Sequence, residues 1–272
     1  MLRYVTEGWR VAWRQPFLLL VLFIYHWLWG FSLLQMAKSV ILPLLHRYPG
    51  SDLPRQSSDL FWAEGQFALL KTDIAHPYLW LLLGILVLRM ILTPLLEAGT
   101  FYSLHHSDLN AGYRFVQGAR QLGKAYYGYY ALQTMLALLP LIWIVPSVQE
   151  ALHTGSIYRW EWTTPLPWVI GYWAYGYAVR TLFQAMRLNR LTGGGIPGML
   201  QTLLKSCHVL VLSSLIVLTA YLLLFITLTG ASLMWAGMTA FVLAQLLHLV
   251  HAFGFLWESS SQYRVWMEKI GI

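Results

Sequence analysis

The sequence is poor in charge and nearly free of cysteine. Only 11% of its 272 residues are charged, compared with about 25% in an ordinary soluble domain, which excludes a water-soluble surface for most of the chain. The single cysteine, Cys207, excludes an intrachain disulfide and a cysteine-based metal motif. Hydrophobic residues make up 58% of the sequence, so the composition indicates lipid as the solvent.

Apolar runs recur along the chain, each long enough to cross a hydrocarbon core of about 30 Å as a helix. We predict an all-α fold, a polytopic membrane helix bundle of about six transmembrane helices in a single integral membrane domain, residues 1–272. A long outer loop, residues 39–76, contains a predicted interfacial helix over 61–70. The predicted spans are 17–36, 78–100, 127–145, 166–186, 209–228 and 232–257.

The distribution of basic residues predicts the orientation. With the N-terminus inside, the inner segments carry eleven lysines and arginines and the outer loops carry five. Positive residues are retained on the cytoplasmic side, so we expect a multi-pass protein of the cell membrane with both termini in the cytoplasm. The net charge of +7 is spread between apolar runs, which argues against nucleic acid. Membrane lipids, and other membrane subunits, are the expected partners.

Three short amphipathic stretches precede outward spans. They cover residues 7–14, 112–120 and 198–205, and each combines basic residues with an apolar face. Helices of this kind lie at the membrane surface, where basic side chains meet anionic lipid. We therefore expect three tandem helix hairpins, each led by a cytoplasmic interfacial helix.

Two segments carry a resemblance to known proteins. Residues 92–100, Leu-Thr-Pro-Leu-Leu-Glu-Ala-Gly-Thr, are followed by residues 112–120, Gly-Tyr-Arg-Phe-Val-Gln-Gly-Ala-Arg, before the third span. This layout resembles bacterial six-helix integral membrane proteins, including the membrane domain attached to some glycerophosphodiester phosphodiesterases. The resemblance implies a fold and no activity, because the chain has no soluble phosphodiesterase domain.

Ionisable residues inside the apolar runs are the candidate site. Each costs roughly 2.5–3.5 kcal/mol on insertion scales. About 12 Å of helix rise separates Arg89 from Glu97, and Arg180 from the fourth span is expected to bridge them. His248 and His251 lie at similar depth in the sixth span. The predicted intramembrane polar site is therefore Arg89, Glu97, Arg180, His248, His251 and Glu258.

Two interpretations of these residues stay open. In the functional one, the arginines of a cytoplasm-facing vestibule attract an anionic head group. In the structural one, which we favour, the charges pair or snorkel and fix helix register. His248 and His251 are too few to ligate a metal, and Ser213 and Ser214 lie in an apolar helix with no predicted neighbouring acid. We expect no cofactor, no metal and no enzymatic activity.

Two function classes therefore remain. The buried charges and membrane prolines favour a transporter-like or permease-subunit protein. The basic surface helices and the scarcity of catalytic groups favour a non-catalytic membrane scaffold, or a lipid-organising or assembly protein. A membrane-embedded enzyme is the weakest of the readings, because no nucleophile, base and acid fall together.

Overall fold

The computed structural model describes residues 2–47, 76–146, 165–234 and 238–270, and these residues are helical without any strand. The predicted all-α fold is therefore confirmed. The predicted interfacial helix at 61–70 lies outside the described residues. Seven helices follow in chain order: α1 Leu2–Trp13, α2 Pro16–Arg47, α3 His76–His105, α4 Ala111–Leu138, α5 Pro165–Thr192, α6 Ile196–Met234 and α7 Met238–Ile270.

Four of the described helical stretches are long and apolar enough to cross a membrane. They are Pro16–Ser39, His76–His105, Ala111–Pro146 and Pro197–Ser232, and they contain four of the six predicted spans. Helices α5 and α7, with 28 and 33 residues, have the length of a span but contain no described stretch as apolar as those four. Arg180 and Arg187 interrupt the apolar sequence of α5, and His248 and His251 interrupt that of α7.

Local chemistry explains where several helices begin and end. Pro16 opens α2, where its missing N–H would have had no partner in the helix. Gly193 adopts φ +69° after α5, a left-handed conformation that glycine adopts without strain. The Asn189 side chain donates to the Gly194 carbonyl over 2.9 Å. Residues 193–195 thus form the turn between α5 and α6.

The three predicted surface helices take a different form in the structure. The first is a separate helix, α1, but the second and third are continuous with the apolar parts of α4 and α6. Arg114 of the second is buried; it donates to the Ser107 carbonyl over 3.0 Å and to the Gln15 side chain. The expectation of a lipid-facing lead is therefore wrong for Arg114, because a tertiary contact satisfies its guanidinium.

The helices divide into two compact units, which are described separately. Unit 1 comprises residues 1–19, 94–224 and 253–272, and unit 2 comprises residues 20–93 and 225–252. The core of unit 1 packs Phe101 of α3, Tyr126 of α4, Leu188 of α5 and Trp266 of α7. In unit 2, α2 and α3 run antiparallel, because Tyr25 contacts Thr93 while the Tyr78 hydroxyl reaches the Ser39 carbonyl.

Helix α1 packs against the second half of α7 within unit 1. The Trp257 indole donates to the Val5 carbonyl over 2.8 Å, and the Tyr4 hydroxyl donates to Glu268 over 2.8 Å. Gly8 lies so close to Ser261 that a larger residue would overlap it. The beginning and the end of the described chain therefore lie together on the same side of unit 1.

Candidate functional site

The candidate residues fall into two groups, one in each unit. Unit 1 contains Glu97, Arg180 and Glu258, and unit 2 contains Arg89, His248 and His251. Each group makes contacts inside its own unit and forms a cluster there. The single vestibule stays a prediction.

Helix α5 supplies both arginines of the unit 1 cluster. Arg180 and Arg187 are seven residues apart, two helical turns, so they share one face of α5 about 10 Å apart along its axis. Glu97 on α3 and Glu258 on α7 each meet one of them. Arg180 and Arg187 of α5 thus meet one carboxylate from α3 and one from α7.

The pair Glu97–Arg187 is buried. Nη2 of Arg187 lies 3.1 Å from Oε2 of Glu97, and the two side chains are only 6% and 14% exposed. Nη2 of Arg187 also donates to Oε1 of Gln133 over 2.7 Å, and the Tyr126 hydroxyl donates to the Arg187 carbonyl. The ion contact of Glu97 lacks hydrogen-bond alignment, since Oε2 has no hydrogen-bond partner. A buried charge of this kind depends strongly on its counter-charge.

Glu258 has the more complete set of partners. Its Oε2 accepts from Nη2 of Arg180 over 2.6 Å, and its Oε1 accepts from the Ser214 hydroxyl over 2.6 Å. Gln262, one turn further along α7, donates to the same Oε1 over 3.3 Å. Both carboxylate oxygens are therefore hydrogen-bonded, so the cluster links α5, α6 and α7.

Two sequence expectations about unit 1 need correction. The ion partner of Glu97 is Arg187, which the sequence places among the inner basic residues, and Arg180 is paired with Glu258. Ser214 does have a neighbouring acid, because α6 and α7 pack antiparallel and bring Glu258 to it. The seven-residue spacing places Arg187 on the same face of α5 as Arg180. This spacing was the sequence signal that could have added Arg187 to the candidate site.

Arg89 is the cation of the unit 2 cluster. Its guanidinium carbon lies 4.7 Å from the centre of the Trp29 ring, a cation–π distance. Thr93, one turn further along α3, hydrogen-bonds with Tyr25 over 2.8 Å and so fixes α3 against α2. Arg89 is an exposed side chain thirteen residues into α3, about 20 Å along the helix from its start.

Three histidines of α2 and α7 belong to the same cluster as Arg89. The rings of His26 and His251 meet edge to face with centroids 4.3 Å apart. His248 packs on Gly30 so tightly that any side chain at position 30 would overlap its imidazole. Arg89, His248 and His251 all lie within electrostatic range of His26. Sequence reasoning missed His26 and Trp29, although an isolated histidine in the first apolar run was a visible signal.

The three histidines are not arranged as metal ligands. Among the described residues, no group of three or more histidine, cysteine, aspartate or glutamate side chains is placed to hold a metal ion. The chemistry that this cluster offers is a guanidinium with imidazole donors and acceptors beside it.

Comparison with known proteins adds no relative. The chain matches no protein-family model, and neither curated proteins nor solved structures include a significant match. The resemblance to the membrane domain of glycerophosphodiester phosphodiesterases stays a prediction.

Proposed function

We propose that this chain is a transporter-like multi-pass protein of the cell membrane, with six crossings and both termini in the cytoplasm. The observation that carries the proposal is Arg89, a permanently charged group in the middle of an apolar helix that makes no ion pair with a described residue. Ionisable residues inside membrane helices mark substrate and ion pathways, because a charge in the hydrocarbon region is otherwise costly.

Antiparallel packing in unit 1 supports six crossings. Gln133 of α4 meets Arg187 of α5, while the Tyr175 hydroxyl of α5 reaches the Leu136 carbonyl of α4. Helix α5 therefore runs back along α4, which is apolar enough to span. Helix α7 runs back along α6 in the same way. An even number of crossings agrees with two chain ends that meet through Tyr4 and Glu268.

The second candidate function is a non-catalytic scaffold, which the ion pairs of unit 1 favour. Glu97 and Glu258 are each paired with an arginine of α5, as expected of charges that hold helices in register. A scaffold needs no water path to Arg89, whereas a transporter needs one.

Cysteine labelling tests the choice between the two functions. Starting from Cys207→Ser, single cysteines are introduced at Thr93, on the same face of α3 as Arg89, and at Val87, on the opposite face. A membrane-impermeant thiol reagent should label Thr93→Cys and leave Val87→Cys unlabelled in sealed vesicles. If neither cysteine is labelled from either side of the membrane, the scaffold is favoured and the transporter-like proposal is abandoned.

Reporter fusions test the topology separately. Tags at the two ends should report the same, cytoplasmic compartment, and a tag inserted between residues 48 and 75 should report the opposite one. Opposite compartments for the two ends would contradict six crossings.

A further inference from the structure

Unit 2 differs from unit 1 in having no acidic side chain among its described residues. The described segments of unit 2, residues 20–47, 76–93, 225–234 and 238–252, contain no aspartate or glutamate. Its described basic groups include Arg89, His26, His248 and His251, and these four lie together. In unit 1, Arg180 and Arg187 of α5 each have a carboxylate. The counter-charge of Arg89 is thus not supplied by a described part of its own unit.

The hydrogen-bonding edge of Arg89 has no described partner. Trp29 lies 4.7 Å from the guanidinium carbon, and a ring in that position interacts with the cationic face, whereas the five N–H donors of arginine point outward in the guanidinium plane. Within the described residues, the guanidinium of Arg89 has a cation–π contact and no hydrogen bond or ion pair. Its planar fork matches the two oxygens of a carboxylate.

Arg89 and the neighbouring rings together determine the charge and the shape of the ligand that this cluster favours. Arginine is charged at every physiological pH, whereas a neutral imidazole offers one donor and one acceptor. The cluster therefore carries one fixed positive charge, which favours a monoanion over a dianion. Tyr25, His26 and Trp29 add aromatic surface on one helix, and such surface favours a ligand with an apolar body.

We propose that His26, Trp29, Arg89, His248 and His251 form a binding site for a small organic monocarboxylate. The inference rests on the proposed transporter-like function and names its substrate class. The carboxylate binds the fork of Arg89, the imidazoles hydrogen-bond its remaining lone pairs, and the apolar body lies against Trp29. Glycine at position 30 is required because it lets α2 approach the imidazole of His248.

Calorimetric titration of the full chain in phosphatidylcholine nanodiscs tests the site. Benzoate is the soluble probe, and benzyl alcohol and benzylamine present the same ring without charge or with the opposite charge. Oleate added to the nanodisc tests a carboxylate that arrives from the bilayer. We expect saturable benzoate or oleate binding that weakens at least tenfold in Arg89→Gln. Lys38→Gln, which removes another cation of unit 2, should bind as the wild type does.

Two further variants keep the test decisive. Arg89→Lys keeps the charge and removes the fork, so its affinity should fall between those of the wild type and Arg89→Gln. Trp29→Phe should lower affinity severalfold even if Arg89→Gln does not fold. Binding of benzylamine with equal affinity, or unchanged benzoate and oleate affinity in both Arg89→Gln and Trp29→Phe, overturns the proposal. The proposal is also overturned if neither benzoate nor oleate binds.

The two proposals fail in different experiments. If Thr93→Cys is labelled but no carboxylate binds, the water path stands and the substrate class is wrong. If a carboxylate binds through Arg89 but Thr93→Cys is unreactive from both sides, the site stands and transport is wrong.

Discussion

The two units of this protein treat intramembrane charge in opposite ways. In unit 1, the two carboxylates of the site each meet an arginine of α5: Glu97 meets Arg187 and Glu258 meets Arg180. In unit 2, Arg89 lies over an aromatic ring with histidines nearby, and the described segments hold no acid. A charge that has its counter-charge in the fold stabilises one arrangement of helices. A charge without one retains attraction for a ligand. Under our proposal, the two units therefore separate a structural role from a binding role.

The largest expected effect comes from breaking the buried pair of unit 1. Glu97→Leu should lower the free energy of unfolding by about 3–5 kcal/mol, because it leaves the buried guanidinium of Arg187 without its counter-charge. Detergent-based unfolding of the purified chain measures the loss. The double variant Glu97→Leu with Arg187→Leu should recover much of it. A single variant as stable as the wild type would remove the contrast between the units.

The next effect concerns the hydrogen bond to Glu258. Ser214→Ala should lower the free energy of unfolding by about 1.5–3 kcal/mol, since the hydroxyl donates to a charged carboxylate over 2.6 Å. The same unfolding assay measures it. Ser32→Ala is the matched control, because the Ser32 hydroxyl donates only to a carbonyl of its own helix, and it should change stability by much less.

A pair of glycines sharpens the comparison of packing. Gly118→Ala should destabilise by about 1–3 kcal/mol, because the added methyl group would meet Tyr102 and approach the Ala98 carbonyl oxygen to 3.0 Å. Gly84→Ala has no neighbour within 4 Å, so it should be neutral or stabilise by up to about 1 kcal/mol through helix propensity. Paired melting curves distinguish the two, and equal destabilisation would contradict the described packing of unit 1.

The smallest expected effect on stability is at Arg89. Arg89→Leu should insert and accumulate normally and change the free energy of unfolding by less than about 1 kcal/mol, because the side chain is exposed and its described contact is the cation–π interaction with Trp29. Expression level and the unfolding curve measure this. A loss as large as that of Glu97→Leu would make Arg89 a structural residue and would weaken the binding proposal.

Much of the fold could be predicted from the sequence, whereas the partners of the site residues could not. The apolar runs predict helices because a membrane backbone has to hydrogen-bond within its own segment. The four described stretches that are apolar enough to cross a membrane contain four of the predicted spans. The six candidate residues were grouped by their predicted depth along individual helices. This depth could not show that Arg187 belongs with Glu97, because helix rotation and tilt are set by packing.

The amphipathic stretches show the same limit of prediction from sequence. Residues 112–120 have the pattern of a surface helix, yet Gly118 packs on Tyr102 and Arg114 is buried against carbonyls of the preceding turn. A hydrophobic face indicates that something covers it and does not say whether lipid or another helix does so.

The sequence by itself indicated that lipid surrounds this protein and that its backbone is helical. It also identified the charged residues that lie among apolar ones. These are local properties, fixed by composition and by the need to satisfy each peptide group. Only the tertiary structure decided which charges are paired, because ion pairing depends on the mutual rotation of helices distant in sequence. Helix packing brings Glu97 to Arg187 and Glu258 to Arg180, and it places Arg89 beside Trp29.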